Sequence, residues 1–251
     1  MNITPVVKQL LIINVIFFIG SQLIPNEEAY RYLSLYFFEN PNFQPWQLFT
    51  HMFMHAPMPN LMHIVFNMFA LYSFGSALEH FWGGKKFLFF YISCGLGAAL
   101  IHSGVNYYFF QDGINTLVNS GISKPEIMEL LNKGMFNNNW PAILGKSGFE
   151  NFTGAYLGTA VGASGAIYGL LVAFAFMFPN AELMMLFIPV PIKAKYFVPG
   201  VLLLDLFSGV TGISLFGGGN IAHFAHIGGA LIGFFMMWYW KKNQTHGNRW
   251  N

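Results

Sequence analysis

Ser164 is set among residues almost without bulk, Gly158, Gly162, Ala163, Gly165, Ala166 and Gly169, inside the apolar run GAYLGTAVGASGAIYGLLVAFAFMFP that closes on Pro179. Neighbouring backbones can come close to a hydroxyl so placed, which suits a helix-packing patch in a membrane and equally a nucleophile that must admit a peptide. Hydrolysis by a serine needs a base within hydrogen-bond reach and donors where the oxyanion forms. His226 is the candidate base: at about 100° per residue it shares one helical stripe with Gly229 and Gly233, and His223 does not. His63 and Asn67, four residues apart in LMHIVFNMFALYSFGSALE, project from one face and are candidate oxyanion donors together with the Ser164 backbone N–H. Polar side chains in an apolar run are functional hypotheses by default, although His and Asn also glue helices together. Tyr168, one turn after Ser164, could pack its ring against His226 and hold it without an aspartate.

Other chemistry is weaker in the sequence. A Ser-His-Asp triad through Asp205 is conceivable, but a lone intramembrane carboxylate reads more readily as a structural hydrogen-bonding group. His51 and His55 stand at i, i+4, yet no HExxH motif occurs, so no metal site is assigned and no cofactor is implied. The single cysteine, Cys94, excludes an intrachain disulfide and a cysteine-rich metal site.

The elements that must carry these residues are membrane spans. Charged residues make up 9% of the chain against roughly 25% in soluble domains, the hydrophobic fraction is 55%, and the mean hydropathy is +0.48. At about 20 apolar residues per crossing, the pattern predicts six spans, about 7–24, 60–79, 86–110, 156–178, 196–212 and 222–240, the fourth becoming helical near Ser164. Breaks fall at Pro25, Asn40 to Pro45, Pro57 to Pro59, Gly83-Gly84, Pro179, Pro189 to Pro191 and Gly217 to Gly219. The first apolar run lacks an obvious cleavage site and reads as a retained span. Segment 25–59 is rich in Tyr, Phe and Trp and is expected to lie partly in the interface. Glu79 is expected to anchor loop contacts.

Lys8, Lys85, Lys86, Lys193, Lys195, Lys241, Lys242 and Arg249 fall on one side of this arrangement, with only Arg31, Lys124, Lys133 and Lys146 on the other. The positive-inside bias then places both termini in the cytoplasm of a multi-pass cell-membrane protein. The net charge of +2 implies no nucleic-acid surface. Between spans three and four, residues 111–153 form a polar insertion on the extracytoplasmic side. Ser123 to Glu126 has capping-box spacing, with Ile127, Leu130 and Leu131 on one face and Gly134 as a stop, so a short amphipathic helix is predicted there.

Three motifs in this order, His63-x-x-x-Asn67, Gly162-Ala163-Ser164-Gly165 with Tyr168, and Ala225-His226-x-x-Gly229-x-x-x-Gly233, make the chain resemble the rhomboid family of intramembrane serine proteases. The resemblance covers about residues 45–240. It implies an all-α, six-transmembrane-helix rhomboid-like bundle, taken as one domain over 1–251, with its active site sunk below the extracytoplasmic surface. It also implies a Ser164–His226 dyad supported by His63, Asn67, Tyr168 and Gly162, and cleavage of other proteins' transmembrane helices in the lipid bilayer. Gly75-x-x-x-Glu79 would be the family's structural element in span two. The chain departs from many members in having Trp46-Gln47 in place of Trp-Arg, and in the 111–153 insertion. Two other functions compete: a catalytically silent member of the fold that binds or remodels membrane proteins, which usually lacks the serine or the histidine, and a transporter or proton relay built on His63, His223, His226 and Asp205. The second leaves the glycine faces unexplained. Substrate identity and oligomeric state are not legible in the sequence.

Overall fold

The computed structural model describes residues 2–185, 188–212 and 221–243; the predicted break at Gly217 to Gly219 and the cation Arg249 lie outside them. The first helix, α1 (Pro5–Leu23), opens on a proline, which has no N–H to leave unpaired at a helix start. The amides of Val6 and Val7 and the hydroxyl of Thr4 all donate to the carboxylate of Glu79, the amides at 2.9 and 2.8 Å. Glu79 thus anchors a helix start, where a negative charge meets the positive end of the dipole. It sits in α5 (Ser76–Trp82), which continues α4 (Leu61–Ala70) through one wide turn, Leu71–Gly75. Gly75 lets α1 pack closely on this turn, since a Cβ there would lie 3.0 Å from the Val7 side chain.

Segment 25–59 is held by side chains rather than by long helices. It contains α2 (Glu28–Leu33) and α3 (Gln47–Thr50). Gln47 is fully buried; its Oε1 accepts the amides of Tyr36 and Gln44, and its Nε2 donates to the carbonyls of Arg31, Tyr32 and Asn42. One neutral amide therefore ties the loop together. Tyr32, Phe38, Trp46 and Phe49 remain exposed.

The long helix α6 (Gly84–Asn119) overruns its predicted end at residue 110. Its buried stripe simply continues through Phe110, Ile114 and Leu117, and Gly113 lets it meet Phe152, whose ring would be 2.2 Å from an added Cβ. At about 1.5 Å per residue its 36 residues reach about 54 Å, well beyond a hydrocarbon core of about 30 Å. The rest of the insertion forms α7 (Lys124–Asn132), whose Ser123 cap accepts the Glu126 amide, and α8 (Trp140–Leu157). Ile127, Leu131, Trp140, Phe152 and Tyr156 close over the end of α6 and Phe37 as a second hydrophobic core.

The predicted fourth span is interrupted. After α8 the chain runs without helix through 158–163, and α9 (Ser164–Met177) begins at the serine. A two-stranded antiparallel hairpin, β1 (Glu182–Met185) and β2 (Ile188–Lys193), leads into α10 (Ala194–Thr211), and α11 (Ile221–Asn243) follows. Four helices among the described residues are long and apolar enough to cross a membrane: Pro5–Leu23, Leu61–Trp82, Gly84–Asn119 and Ala194–Thr211. The α9 helix is apolar but has only 14 residues. It lies directly on α11: a Cβ at Gly229 would sit 1.8 Å from the Gly165 carbonyl oxygen, and one at Gly233 2.8 Å from the Gly169 Cα. This backbone-on-backbone seam fixes where residues of α11 meet those of α9.

Candidate active site

The backbone approaching Ser164 is strapped to the first loop. Leu35 and Ala160 exchange both backbone hydrogen bonds, at 3.0 and 2.9 Å, and the Gly162 amide donates to the His51 carbonyl at 2.9 Å. Gly162 has φ +124°, a conformation L side chains rarely adopt. Ser164 is the first residue of α9, so its own amide has no intrahelical acceptor and points out of the positive end of the helix. The neutral imidazole of His51, buried in the strap, donates through Nδ1 to the Gln47 carbonyl at 2.8 Å. Burial lowers the pKa of His51 to about 4 and that of His55 to about 3, so both are neutral near pH 7. His55 Nε2 donates to the Asn14 side-chain oxygen at 2.9 Å. These two histidines each hold part of the scaffold, His51 within the strap and His55 against α1.

The glycine seam delivers His226 to the serine. Its Nε2 lies 2.8 Å from Ser164 Oγ, and its ring stacks on Tyr168 with centroids 4.2 Å apart and planes 11° apart. The expectation that His226 is held without an aspartate is corrected here. Asp205, on α10, accepts from His226 Nδ1 at 2.8 Å through Oδ2, while its Oδ1 accepts from His223 Nδ1. Sequence spacing could not place Asp205, because it stands on a different helix from either histidine.

His63 reaches the other side of Ser164. A Cβ on Gly162 would lie 3.0 Å from His63 Cε1, 3.2 Å from its Nε2 and 3.5 Å from Ser164 Oγ, so the absence of a side chain lets the His63 ring close on the backbone beside the serine. The Ala56 amide donates to His63 Nδ1 at 3.1 Å, which puts the proton of the neutral ring on Nε2, the nitrogen beside Gly162. Asn67, one turn further along α4, donates to the His63 carbonyl at 2.7 Å and makes no hydrogen bond to Ser164 or His226 among the described residues. The Gly162 amide is occupied by the His51 carbonyl, so Gly162 offers no donor to the site.

Ligand-type atoms of Asp205, His223 and His226 all lie within 4.8 Å of one another, a spacing shared by metal sites and hydrogen-bonded triads. Each histidine Nδ1 addresses a different oxygen of Asp205, which is the hydrogen-bonded arrangement. The set can therefore draw a proton from a serine hydroxyl, hold the resulting imidazolium beside a carboxylate, and offer two N–H groups, from His63 and the Ser164 backbone, to a nearby oxyanion.

Comparison with known proteins agrees in family. Residues 42–243 match the model of the Rhomboid domain. The chain is 24% identical over 180 residues to "Rhomboid protein 1, mitochondrial" of Saccharomyces cerevisiae, covering 72% of this chain and 38% of that protein. It is 26% identical over 222 residues to "Presenilin-associated rhomboid-like protein A, mitochondrial" of Danio rerio, covering 85% of this chain and 44% of that one. The aligned regions thus span less than half the length of either relative. With a domain match across most of its length, this apolar, mostly helical membrane protein belongs to the rhomboid family.

Proposed function

We propose that this protein is an intramembrane serine endopeptidase that cleaves transmembrane segments of other membrane proteins through Ser164 and His226. The observation that carries the reading is the 2.8 Å contact between His226 Nε2 and Ser164 Oγ at the start of a 14-residue helix. At about 1.5 Å per residue that helix is about 21 Å long, too short for a hydrocarbon core of about 30 Å. If its C-terminal end reaches one surface, the serine lies well inside the membrane. In this reading six helices, the four long apolar ones with α9 and α11, enclose the site, and the termini lie on the cytoplasmic side of the cell membrane.

In the first step Ser164 Oγ attacks the scissile carbonyl carbon and its proton passes to His226 Nε2. The oxyanion takes hydrogen bonds from the Ser164 amide and His63 Nε2–H. Collapse of the intermediate breaks the C–N bond, the proton passes from Nε2 to the leaving amine, and an acyl-enzyme remains on Ser164. Water, deprotonated by the same nitrogen, releases the second product. Substrates are helices that unwind locally, because an intact helix shields its carbonyls by hydrogen bonding. No cofactor takes part in these steps.

The test compares the purified wild type with Ser164→Ala on a detergent-solubilised single-span substrate. Cleavage should be abolished in the variant with its melting temperature nearly unchanged, a serine-directed phosphonate should label Ser164, and a chelator should leave the rate unaltered. A folded wild type that neither cleaves nor takes the phosphonate would favour the catalytically silent reading. Chelator-sensitive cleavage without an adduct would favour a metal at the histidines.

A further inference from the structure

An ionisable carboxylate inside an apolar helix is expensive unless its oxygens are paired. Asp205 is 8% exposed, and both oxygens are spoken for by imidazole N–H groups three residues apart on α11. The Tyr168 ring covers the face of His226. Three helices therefore meet at His226: α9 through the Tyr168 ring, α10 through Asp205, and α11, which carries both histidines. The consequence for His226 is chemical. A carboxylate accepts and does not donate, so the hydrogen on Nδ1 is fixed there, and Nε2 keeps its lone pair toward Ser164.

We propose that Asp205 is a positioning residue for this base, with His223 as the second anchor that keeps the carboxylate in place. The inference rests on the proposed serine-protease reading and deepens it. During attack the serine proton moves to His226 Nε2; the Nδ1 proton stays on nitrogen and Asp205 remains ionised, stabilising the imidazolium by charge. During collapse the same proton leaves Nε2 for the amine, so the carboxylate neither gains nor loses one. His223 takes no part in proton transfer. It holds Oδ1 so that Oδ2 stays on His226.

The readouts are kcat, KM, the pH profile and the tautomer. In Asp205→Asn the amide offers one oxygen and one NH2 to two Nδ1 atoms, so one ring must hold its proton on Nε2. We expect kcat to fall by about 10²–10⁴ with KM within about threefold, in line with loss of an orienting carboxylate. The acid limb of the profile should move to lower pH, because an imidazolium forms less readily beside an amide than beside a carboxylate. The other titratable groups around His226, namely His223 on α11, Tyr168 on α9, His63 on α4 and His102 on α6, are unchanged in the variant. Asp205→Glu should recover part of the rate, and His223→Ala should stay within about tenfold of wild type. If Asp205→Asn does not fold, nitrogen-15 NMR of histidine in the wild type decides, with the His226 signal assigned by its loss in His226→Gln. A proton on Nδ1 of His226 supports the assignment, and a proton on Nε2 alone overturns it. So would a folded Asp205→Asn protein with wild-type kcat and an unmoved acid limb. Should the wild type neither cleave nor accept the phosphonate, the protease reading fails while the tautomer still reports on Asp205.

Discussion

The two sides of Ser164 differ in how firmly their side chains are held. His63 is fixed at Nδ1 by the Ala56 amide and holds Nε2–H beside Gly162 and Ser164, whereas Asn67 spends an N–H on the His63 carbonyl. His63→Ala should therefore cost about 10²–10³ in kcat, the usual effect of losing an oxyanion donor. Asn67→Ala should cost no more than His63→Ala, and its loss should appear partly as a lower melting temperature, since it removes a link within α4. Single-turnover cleavage and thermal unfolding of both variants check this. The opposite ranking, with Asn67→Ala fully folded, would move the oxyanion donor one turn along the helix. At this scale the sequence was informative where one helix carries the pattern: the stripe of His226, Gly229 and Gly233 lies on α11, and the seam does lie along it. It offered Asp205 only as a conceivable third member and ranked it as structural, because a contact between side chains on two helices leaves no trace in the spacing of either.

Between elements, the closeness of α9 and α11 decides whether a base can reach the nucleophile at all. Gly229 stands where a Cβ would be 1.8 Å from a backbone oxygen of Gly165, and backbone cannot rotate aside as a side chain can. Gly229→Ala should separate the helices, lower stability by about 1–3 kcal/mol or more, and abolish cleavage. Gly104→Ala, in α6 with nothing within 4 Å of the added atom, should leave activity unchanged and stability equal or slightly raised. Melting temperatures and initial rates of the pair separate packing from propensity; equal behaviour of the two variants would show that the seam is not tight. Helix ends were less legible than helix faces. Residues 111–119 read as polar insertion, yet they continue α6 because Ile114 and Leu117 find Phe152 and its neighbours to cover them, a tertiary gain that local composition does not announce. The loop at Gln47 shows the same limit, since five hydrogen bonds from one amide depend on where five backbone groups end up.

For the molecule as a whole, the charges and the two ends of the bundle give a sidedness that can be tested. The Glu79 carboxylate ties the start of α1 to the end of α4–α5, and Lys86 lies over the rings of Trp82 and, at 4.2 Å, Trp240, so the N-terminus, the turn at Gly83 and the end of α11 gather at one end. Lys8, Lys85, Lys241 and Lys242 belong to the same end by sequence. The far end of α6 carries the insertion, whose 133–139 turn is exposed. Basic residues favour the cytoplasmic face, so the insertion and the mouth above Ser164 should be extracytoplasmic. Cys94 is the chain's one thiol and is buried, so Cys94→Ala clears the background, and Asn138→Cys then sets a single reporter on an exposed position of that turn. The companion reporter is His80→Cys in the same background, at an exposed position on the basic end. In intact cells carrying the protein in their outer bounding membrane, an impermeant maleimide should modify the cysteine at 138 and leave the one at 80 untouched until the cells are lysed. The reverse pattern would invert the topology and move the mouth of the site to the cytoplasmic face, so that substrates would have to present their cleavage sites from that side.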